Sequence, residues 1–111
     1  MAKIITLKQN RDFRRLYARG KSFANPALVT YVYKNRAGNC RIGITTSKKI
    51  GNAVVRNRAR RVIRAAYAGL APQITGNWDI VFVARARTHK LKSQEVGHVM
   101  RKQLAAAGVL K

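Results

Sequence analysis

The segment from Lys48 to Arg64 carries seven lysines and arginines and no carboxylate. It opens with a glycine-containing basic loop and continues into a helical pattern in which Arg56, Arg60 and Arg64 follow one another at intervals of four. A solvated helix face normally mixes acids with bases, because i,i+4 ion pairs stabilise a helix and like charges destabilise it. Backbone amides at a helix N-terminus and guanidinium forks both bind phosphate. The segment therefore predicts a phosphate-binding surface rather than a solvated face.

Acidic residues are scarce throughout the chain. The 111 residues include 24 Lys and Arg against 3 Asp and Glu, which gives a formal net charge of +21. The acids are Asp12, Asp79 and Glu95. A carboxylate-dyad hydrolase and a carboxylate-rich Mg²⁺ cage both need clustered acids, so the composition argues against both classes and we assign no catalytic residue. A hydrophobic content of 47% indicates a folded domain, and the charge favours a polyanion as its partner.

Cysteine and histidine give no sign of a metal site. Cys40 is the single cysteine, which excludes a disulfide framework and a cysteine zinc site and favours a reducing compartment. His89 and His98 lie nine residues apart, a spacing that does not place two ligands on one helix face. No apolar run approaches the roughly 20 residues that span a bilayer. We expect a cytoplasmic protein with neither a metal ligand of its own nor a membrane partner.

The first half of the chain predicts a helix followed by a hairpin. Asn10 is the expected N-cap of the first helix, Asp12 suits its first turn, and Gly20 ends it. The runs Leu28 to Tyr33 and Cys40 to Thr46 alternate in polarity and predict an antiparallel hairpin. A short additional strand is possible near Lys21 to Ala24.

The second half predicts a helix, a strand and a helix. Asn52 is the expected cap of an amphipathic helix from Ala53 to Gly69, with one apolar stripe for a core and arginines on the other side. The run Trp78 to Arg85 is apolar on both faces, which is typical of a covered central strand parallel to the one before the helix. Ser93 caps the last helix and Gly108 ends it. The predicted class is α+β, in the order α-β-β-α-β-α.

The most specific sequence pattern runs from Arg41 to Arg64 and joins several motifs at fixed spacing. The motifs are Arg41-x-Gly43 in a strand, Lys48-Lys49-x-Gly51 in a loop, Ala53-Val54, and Arg56-Asn57-Arg58 in the helix. This pattern closely resembles the signature of the bacterial ribonuclease P protein component. The resemblance extends from about Leu7 to Leu104, although Ala65 replaces an acid or amide that many relatives carry.

The resemblance implies a subunit of the ribonucleoprotein endonuclease that removes the 5′ leader from precursor tRNA. In that enzyme the RNA subunit is the catalyst, and Mg²⁺ is held mainly by the RNA and the substrate. The implied partners are the catalytic RNA and precursor tRNA, not DNA, with a single copy of this protein in the complex. The implied fold is a two-layer α/β sandwich like the second domain of ribosomal protein S5. It has a left-handed crossover through the arginine helix, where general topology rules favour a right-handed one.

The family also implies two RNA surfaces within one RNA-binding domain, residues 1–111. The residues that match the family's RNA-binding helix and loop are Lys48, Lys49, Arg56, Asn57, Arg58, Arg60, Arg61 and Arg64. A cleft between the first helix and the sheet would hold the single-stranded leader, where bases stack on aromatic rings. Its matching positions are Phe13, Tyr17, Val29 and Tyr31.

Two other classes of protein share parts of this pattern. A ribosomal or ribosome-assembly protein that binds rRNA would have the same small size, basic excess and lack of catalytic residues, and only the motif spacing argues against it. A DNA-binding module would use the Ala53 to Gly69 helix in the major groove. That arrangement usually has a preceding helix or a dimer seam, whereas here a strand precedes.

Overall fold

The computed structural model describes residues 5–110, which form one five-stranded sheet and three α-helices. The strand order is β1-β4-β5-β3-β2, with β1, β4 and β5 parallel and β3 and β2 antiparallel to their neighbours. The predicted α+β class is confirmed, and the possible short strand near Lys21 is present as β2. The elements are β1 (Ile5–Thr6), α1 (Asn10–Arg19), β2 (Lys21–Asn25), β3 (Leu28–Lys34), β4 (Arg41–Thr45), α2 (Ala53–Leu70), β5 (Trp78–Ala84) and α3 (Ser93–Ala106).

The predicted hairpin between the runs Leu28 to Tyr33 and Cys40 to Thr46 is wrong. β5 lies between β3 and β4, so β3 pairs with β2 and β5 instead. The central position of β5 and its parallel pairing with β4 are confirmed, with Ile42 opposite Ile80. Neighbouring strands are about 4.8 Å apart, so β3 and β4 are separated by about 10 Å. Four consecutive residues of β5, Asp79 to Phe82, are buried, and this apolar strand gains most from a central position.

The connection from β3 to β4 crosses the end of β5 and is fastened there by Asp79. Arg41 donates to both carboxylate oxygens of Asp79, from Nε and Nη2, each at 2.8 Å. Asn35 Nδ2 donates to Asp79 Oδ1 at 2.7 Å and to the Asn39 carbonyl at 3.0 Å. The backbone N–H of Asn35 also donates to the Asn77 carbonyl. Asp79, 1% exposed, therefore holds both ends of the crossing loop.

The larger core lies between the sheet and the helices α2 and α3. It contains Ile63 of α2, Met100 of α3 and Phe82 of β5, all fully buried. One buried amide connects α3 to the start of β3, because Gln103 Oε1 accepts from Thr30 Oγ1 at 2.6 Å. Its Nε2 donates to the carbonyls of Phe23 and Leu28. The sheet and these two helices form two packed layers.

Helix α1 packs on the opposite face of the sheet. Alternate residues of a strand point to opposite faces, so Val81 faces α1 while Ile80 and Phe82 face the larger core. Leu16 is buried against Val81 in this smaller cluster. The Phe13 ring lies directly over Gly43, where an added Cβ would come within 2.6 Å of the ring. Gly43 thus lets α1 approach the sheet closely.

The helix boundaries follow the predictions to within one residue. Asn52 caps α2 as predicted, since its Oδ1 accepts from the Val55 N–H at 3.1 Å. The predicted caps Asn10 and Ser93 are wrong, because each is the first helical residue and Gln9 and Lys92 occupy the cap positions. In the part of the chain that the structure describes, no helix is long and apolar enough to cross a membrane.

Candidate nucleic-acid interfaces

The first candidate interface is the exposed side of α2 together with the turn that precedes it. We name it the arginine face. Of the eight residues predicted to bind RNA, Arg56 is half-buried and the others are exposed. Helix α2 contains no acid, so no side chain of its own neutralises these cations. The residues of the arginine face are Lys48, Lys49, Arg56, Asn57, Arg58, Arg60, Arg61 and Arg64.

Two arginines of this face have contacts within the protein. Arg58 Nε donates to the His89 carbonyl at 2.8 Å, so Arg58 anchors α2 to the turn Thr88–Lys90. Arg60 Nη1 makes one long contact, 3.4 Å, with Asn57 Oδ1. Arg56 Nε is buried and, among the described residues, has no hydrogen-bond partner. Arg61 and Arg64 make no hydrogen bond to the described residues and Arg60 makes only the long one to Asn57, so all three exposed guanidinium groups are available to a ligand.

The turn before α2 depends on Gly51. Its backbone has φ 145° and ψ −166°, a region that essentially only glycine occupies. A Cβ there would lie 2.8 Å from Val55 Cγ1. The short 3₁₀ turn Lys48–Ile50 ends on this residue, whose N–H donates to the Lys48 carbonyl. Gly51 thereby joins the two exposed lysines to the capped start of α2.

Replacing Gly51 by alanine is expected to lower the free energy of unfolding by about 1–3 kcal/mol, because alanine must hold a strained backbone and displace Val55. Urea unfolding at a fixed anion concentration measures it. Gly69→Ala is the matched control, since Gly69 is helical with open space at its Cβ position. That variant should be neutral or up to about 1 kcal/mol more stable. Equal effects of the two substitutions would contradict a special backbone role for Gly51.

The second candidate interface is the cleft between α1 and the sheet. Tyr17 of α1 and Tyr31 of β3 meet edge to face, with ring centroids 5.0 Å apart, and Tyr17 is 44% exposed. Val29 lies on the same face of β3 as Tyr31, two residues away. The Phe13 ring packs between α1 and the sheet and is half-buried. The four predicted leader-binding positions share this side of the molecule, with Phe13 acting partly as core.

The structure adds residues to this cleft that the sequence prediction omitted. Val83 is the cross-strand partner of Val29, while Ser22 and Ala24 of β2 stand opposite Tyr31 and Val29. Cross-strand partners share a face of the sheet, so all three extend the cleft surface. Val83 belongs to a strand that is apolar on both faces, and its cleft-facing position follows only once the face of Val81 is known. Ser22 and Ala24 lie in a strand too short to show periodicity.

The described carboxylates do not form a metal site. No group of three or more His, Cys, Asp and Glu comes together within residues 5–110. Both oxygens of Asp79 accept hydrogen bonds from Arg41, and this contact raises the pKa of the Arg41 guanidinium. Asp12 lies 3.9 Å from Arg15, and Glu95 accepts from the Lys92 N–H at the start of α3. These three separate carboxylates do not fit a Mg²⁺ ion, which requires several oxygen ligands in octahedral geometry.

Comparison with known proteins gives one consistent family. A family model described as Ribonuclease P matches residues 1–108. The ribonuclease P protein component of Clostridioides difficile is 50% identical over 80 residues, which cover 71% of this chain and 70% of that protein. The protein component of Clostridium novyi is 40% identical over 111 residues, 98% of each chain.

Solved structures agree with this result. The RNase P protein of Staphylococcus aureus, determined at 2.0 Å, superimposes with a TM-score of 0.84 at 34% identity and covers 98% of this chain and 100% of its own. The RNase P protein of Thermotoga maritima superimposes with a TM-score of 0.78 at 27% identity over 89% of this chain and 94% of its own. The similarity therefore extends over most of the chain.

Proposed function

Because this chain belongs to the bacterial ribonuclease P protein family, we propose that it binds the catalytic RNA through the arginine face and the precursor tRNA leader through the α1 cleft. As a member of that family it is the protein subunit of a ribonucleoprotein endoribonuclease. The matched relatives and solved structures are all ribonuclease P proteins, so the ribosomal alternative is not favoured.

The absence of acids from α2 carries the first part of the proposal. A row of like charges lowers the stability of an isolated helix, and a bound polyanion offsets that cost. Arg60 and Arg64 are one turn apart and exposed, so both can contact phosphates of the same stretch of RNA backbone. Guanidinium groups form two parallel hydrogen bonds to a phosphate, which suits a sequence-independent contact to an RNA backbone.

The shape and chemistry of the cleft support the second part. Tyr17 offers an exposed ring beside Tyr31, and Val29 and Val83 form an apolar floor next to them. Unstacked bases of a single strand pack on such rings, and the gain is independent of sequence because every base has a π-face. A leader is single-stranded, whereas mature tRNA lacks it. The cleft therefore supports selection of precursor over product.

The two interfaces lie on opposite faces of the sheet and are linked by one segment. Thr45 at the end of β4 stands beside Val83 on the cleft side, and the chain then passes through Lys48 and Lys49 to α2. A substrate leaving the cleft at this edge would meet the two lysines of the arginine face before its arginines. Within this proposal the whole chain, residues 1–111, acts as one RNA-binding domain, present once in each complex.

The positions of the carboxylates bear on which part of the ribonucleoprotein binds Mg²⁺. The three acids are dispersed, and Asp79 is held within the fold, so we propose that Mg²⁺ is bound by the catalytic RNA and the substrate. The protein contributes binding and orientation, and isolated protein should cleave no precursor tRNA. A single half-buried cysteine that forms no disulfide agrees with action in the cytoplasm, where tRNA is processed.

The cleft assignment is tested by Tyr17→Ala in the reconstituted holoenzyme. At low Mg²⁺ the wild-type protein should raise the affinity of the holoenzyme for precursor tRNA more than its affinity for mature tRNA, compared with the catalytic RNA alone. Loss of one stacking ring costs about 1–3 kcal/mol, so the variant should lower the precursor-to-mature affinity ratio about tenfold. Equilibrium binding of end-labelled precursor and mature tRNA gives both affinities.

Tyr17→Phe is the matched control, because it keeps the ring and removes only the hydroxyl. It should retain the wild-type ratio. If Tyr17→Ala also retains that ratio, or if the wild-type protein strengthens both tRNAs equally, the leader does not bind in this cleft.

A further inference from the structure

A cavity of about 240 Å³ lies beside the arginine face, between α2 and the outer edge of β4. Its floor is formed by the half-buried Ile44 of β4 and the exposed Thr6 of β1, with a small contribution from Ile42, which is 2% exposed, and its surface is mainly apolar. Its rim carries three guanidinium groups from one helix. The rim residues are Arg60, Arg61 and Arg64.

The cavity lies where β1 stops covering β4. The pairing of β1 with β4 ends at Ile42, and the last backbone bond of this ladder runs from the Leu7 N–H to the Ile42 carbonyl at 2.7 Å. Alternate residues of a strand direct their backbone groups to the same edge, so Ile44 presents its N–H and carbonyl to the side that β1 leaves open. Within the described residues no backbone hydrogen bond extends the ladder to Ile44. The cavity thus combines an apolar floor, a peptide edge and cations.

We propose that this cavity receives one unstacked nucleotide of the catalytic RNA, its base against Ile42 and Ile44 and its phosphates on Arg60 and Arg64. The inference rests on the proposed function of the arginine face and specifies what that face binds besides backbone phosphate. A cavity of roughly 150 Å³ already accommodates benzene. The larger volume here leaves room for a nucleobase.

The combination of surfaces selects a nucleotide over simpler ligands. A phosphate alone would use the arginines and leave the apolar floor in water, whereas an apolar ligand would leave three cations without a partner. A nucleobase has apolar faces and a polar edge, so it matches both the isoleucine floor and the hydrogen-bonding edge of Ile44. Its attached phosphates match the rim.

Filling the cavity without changing charge separates this proposal from simple phosphate binding. Thr6 is exposed and lines the cavity, so Thr6→Phe should occupy the space of the base while the arginines remain. We expect the affinity of the full-length protein for the catalytic RNA to fall about tenfold, with an unchanged dependence on salt concentration. Thr75→Phe is the matched control, since Thr75 is exposed and does not line the cavity, and it should bind as the wild type does.

Wild-type affinity in Thr6→Phe would overturn the proposal, as would a loss that affects precursor tRNA but not the catalytic RNA. Circular dichroism in sulfate checks that each variant is folded. Neither outcome affects the arginine face itself, which the replacement of Arg60 and Arg64 by alanine tests separately.

Free nucleotides provide a second measurement on the wild-type chain. Adenosine, guanosine, cytidine and uridine monophosphates at millimolar concentration should shift the methyl NMR resonances of Ile42 and Ile44. Inorganic phosphate at the same ionic strength should leave those methyl groups unchanged. Equal shifts from phosphate and nucleotides, or no shift from any nucleotide, would reduce the cavity to a simple anion contact and overturn the proposal.

Discussion

Replacing Arg60 and Arg64 together with alanine is expected to weaken binding of the catalytic RNA about a hundredfold and to flatten its dependence on salt. Each exposed guanidinium in contact with phosphate contributes about 1.5 kcal/mol, so two contribute about 3 kcal/mol, which is about a hundredfold in affinity. Each phosphate that an arginine no longer neutralises also retains roughly one counterion, so the slope of log K against log salt should become shallower by about 1.4–1.8. Arg58 is less suitable for this test because its Nε is committed to the His89 carbonyl.

The measurement is a titration of labelled catalytic RNA with protein at several salt concentrations. Arg101→Ala with Lys102→Ala is the matched control, because both residues are exposed on α3 and their removal lowers the net charge equally. General attraction between a protein of charge +21 and RNA would make the two double variants alike. If the variant that lacks Arg60 and Arg64 keeps the wild-type slope of log K against log salt, this side of α2 does not contact RNA phosphates and is exposed to solvent only.

Local signals in the sequence were sufficient for α2 and β5. Asn52 stands before an uninterrupted 3.6-residue apolar period, and the structure has the cap and the helix at these positions. The run Ile80 to Ala84 is apolar on both faces, and it lies at the centre of the sheet. In both cases the pattern and the tertiary environment favour the same structure, so short-range information was enough.

Strand order could not be predicted in the same way. The loop between β3 and β4 is short enough for a hairpin, and nothing in either strand prohibits direct pairing. A long-range interaction that accompanies the observed order joins Arg41 to Asp79, which are far apart in sequence. A buried carboxylate requires a cationic or hydrogen-bonding partner, and in the observed order Arg41 and Asn35 supply it. Local sequence patterns do not reveal such a contact, so they could not distinguish this order from a hairpin.

The candidate interfaces show the same limit. The predicted residues Arg56, Asn57, Arg60, Arg61 and Arg64 lie together because one side of α2 positions them. The cleft is made by three separate elements, so Val83, Ser22 and Ala24 became visible only from the strand register. The helical periodicity of the sequence also does not predict that Arg58 contacts the turn Thr88–Lys90. That contact depends on how α2 packs against a turn that is distant in sequence.

Asp79→Asn is expected to reduce the free energy of unfolding by about 3 kcal/mol. The substitution leaves Arg41 without its carboxylate and sets an amide N–H₂ against a guanidinium, where Asp79 now accepts two bonds of 2.8 Å. Removing one partner of a buried ion pair costs about 3–5 kcal/mol. The Arg41 side chain is 27% exposed and can turn partly to water, which places the expected cost at the lower end. For a domain of this size the loss is a large share of a total of about 5–15 kcal/mol.

Glu95→Gln is the matched control that separates the effect of burial from the effect of net charge. Each variant removes one of the three Asp and Glu carboxylates, so both raise the net charge equally. Glu95 is exposed, and a glutamine can still accept from the Lys92 N–H, so its variant should lose less than about 1 kcal/mol. Urea unfolding of both variants at one fixed sulfate concentration gives the two values. A similar small loss in both would mean that the crossing of the β3–β4 loop over β5 is held by backbone pairing alone. A large loss confined to Asp79→Asn would show that the stability of the fold depends on this buried acid at the crossing of β5 and not on the exposed Glu95.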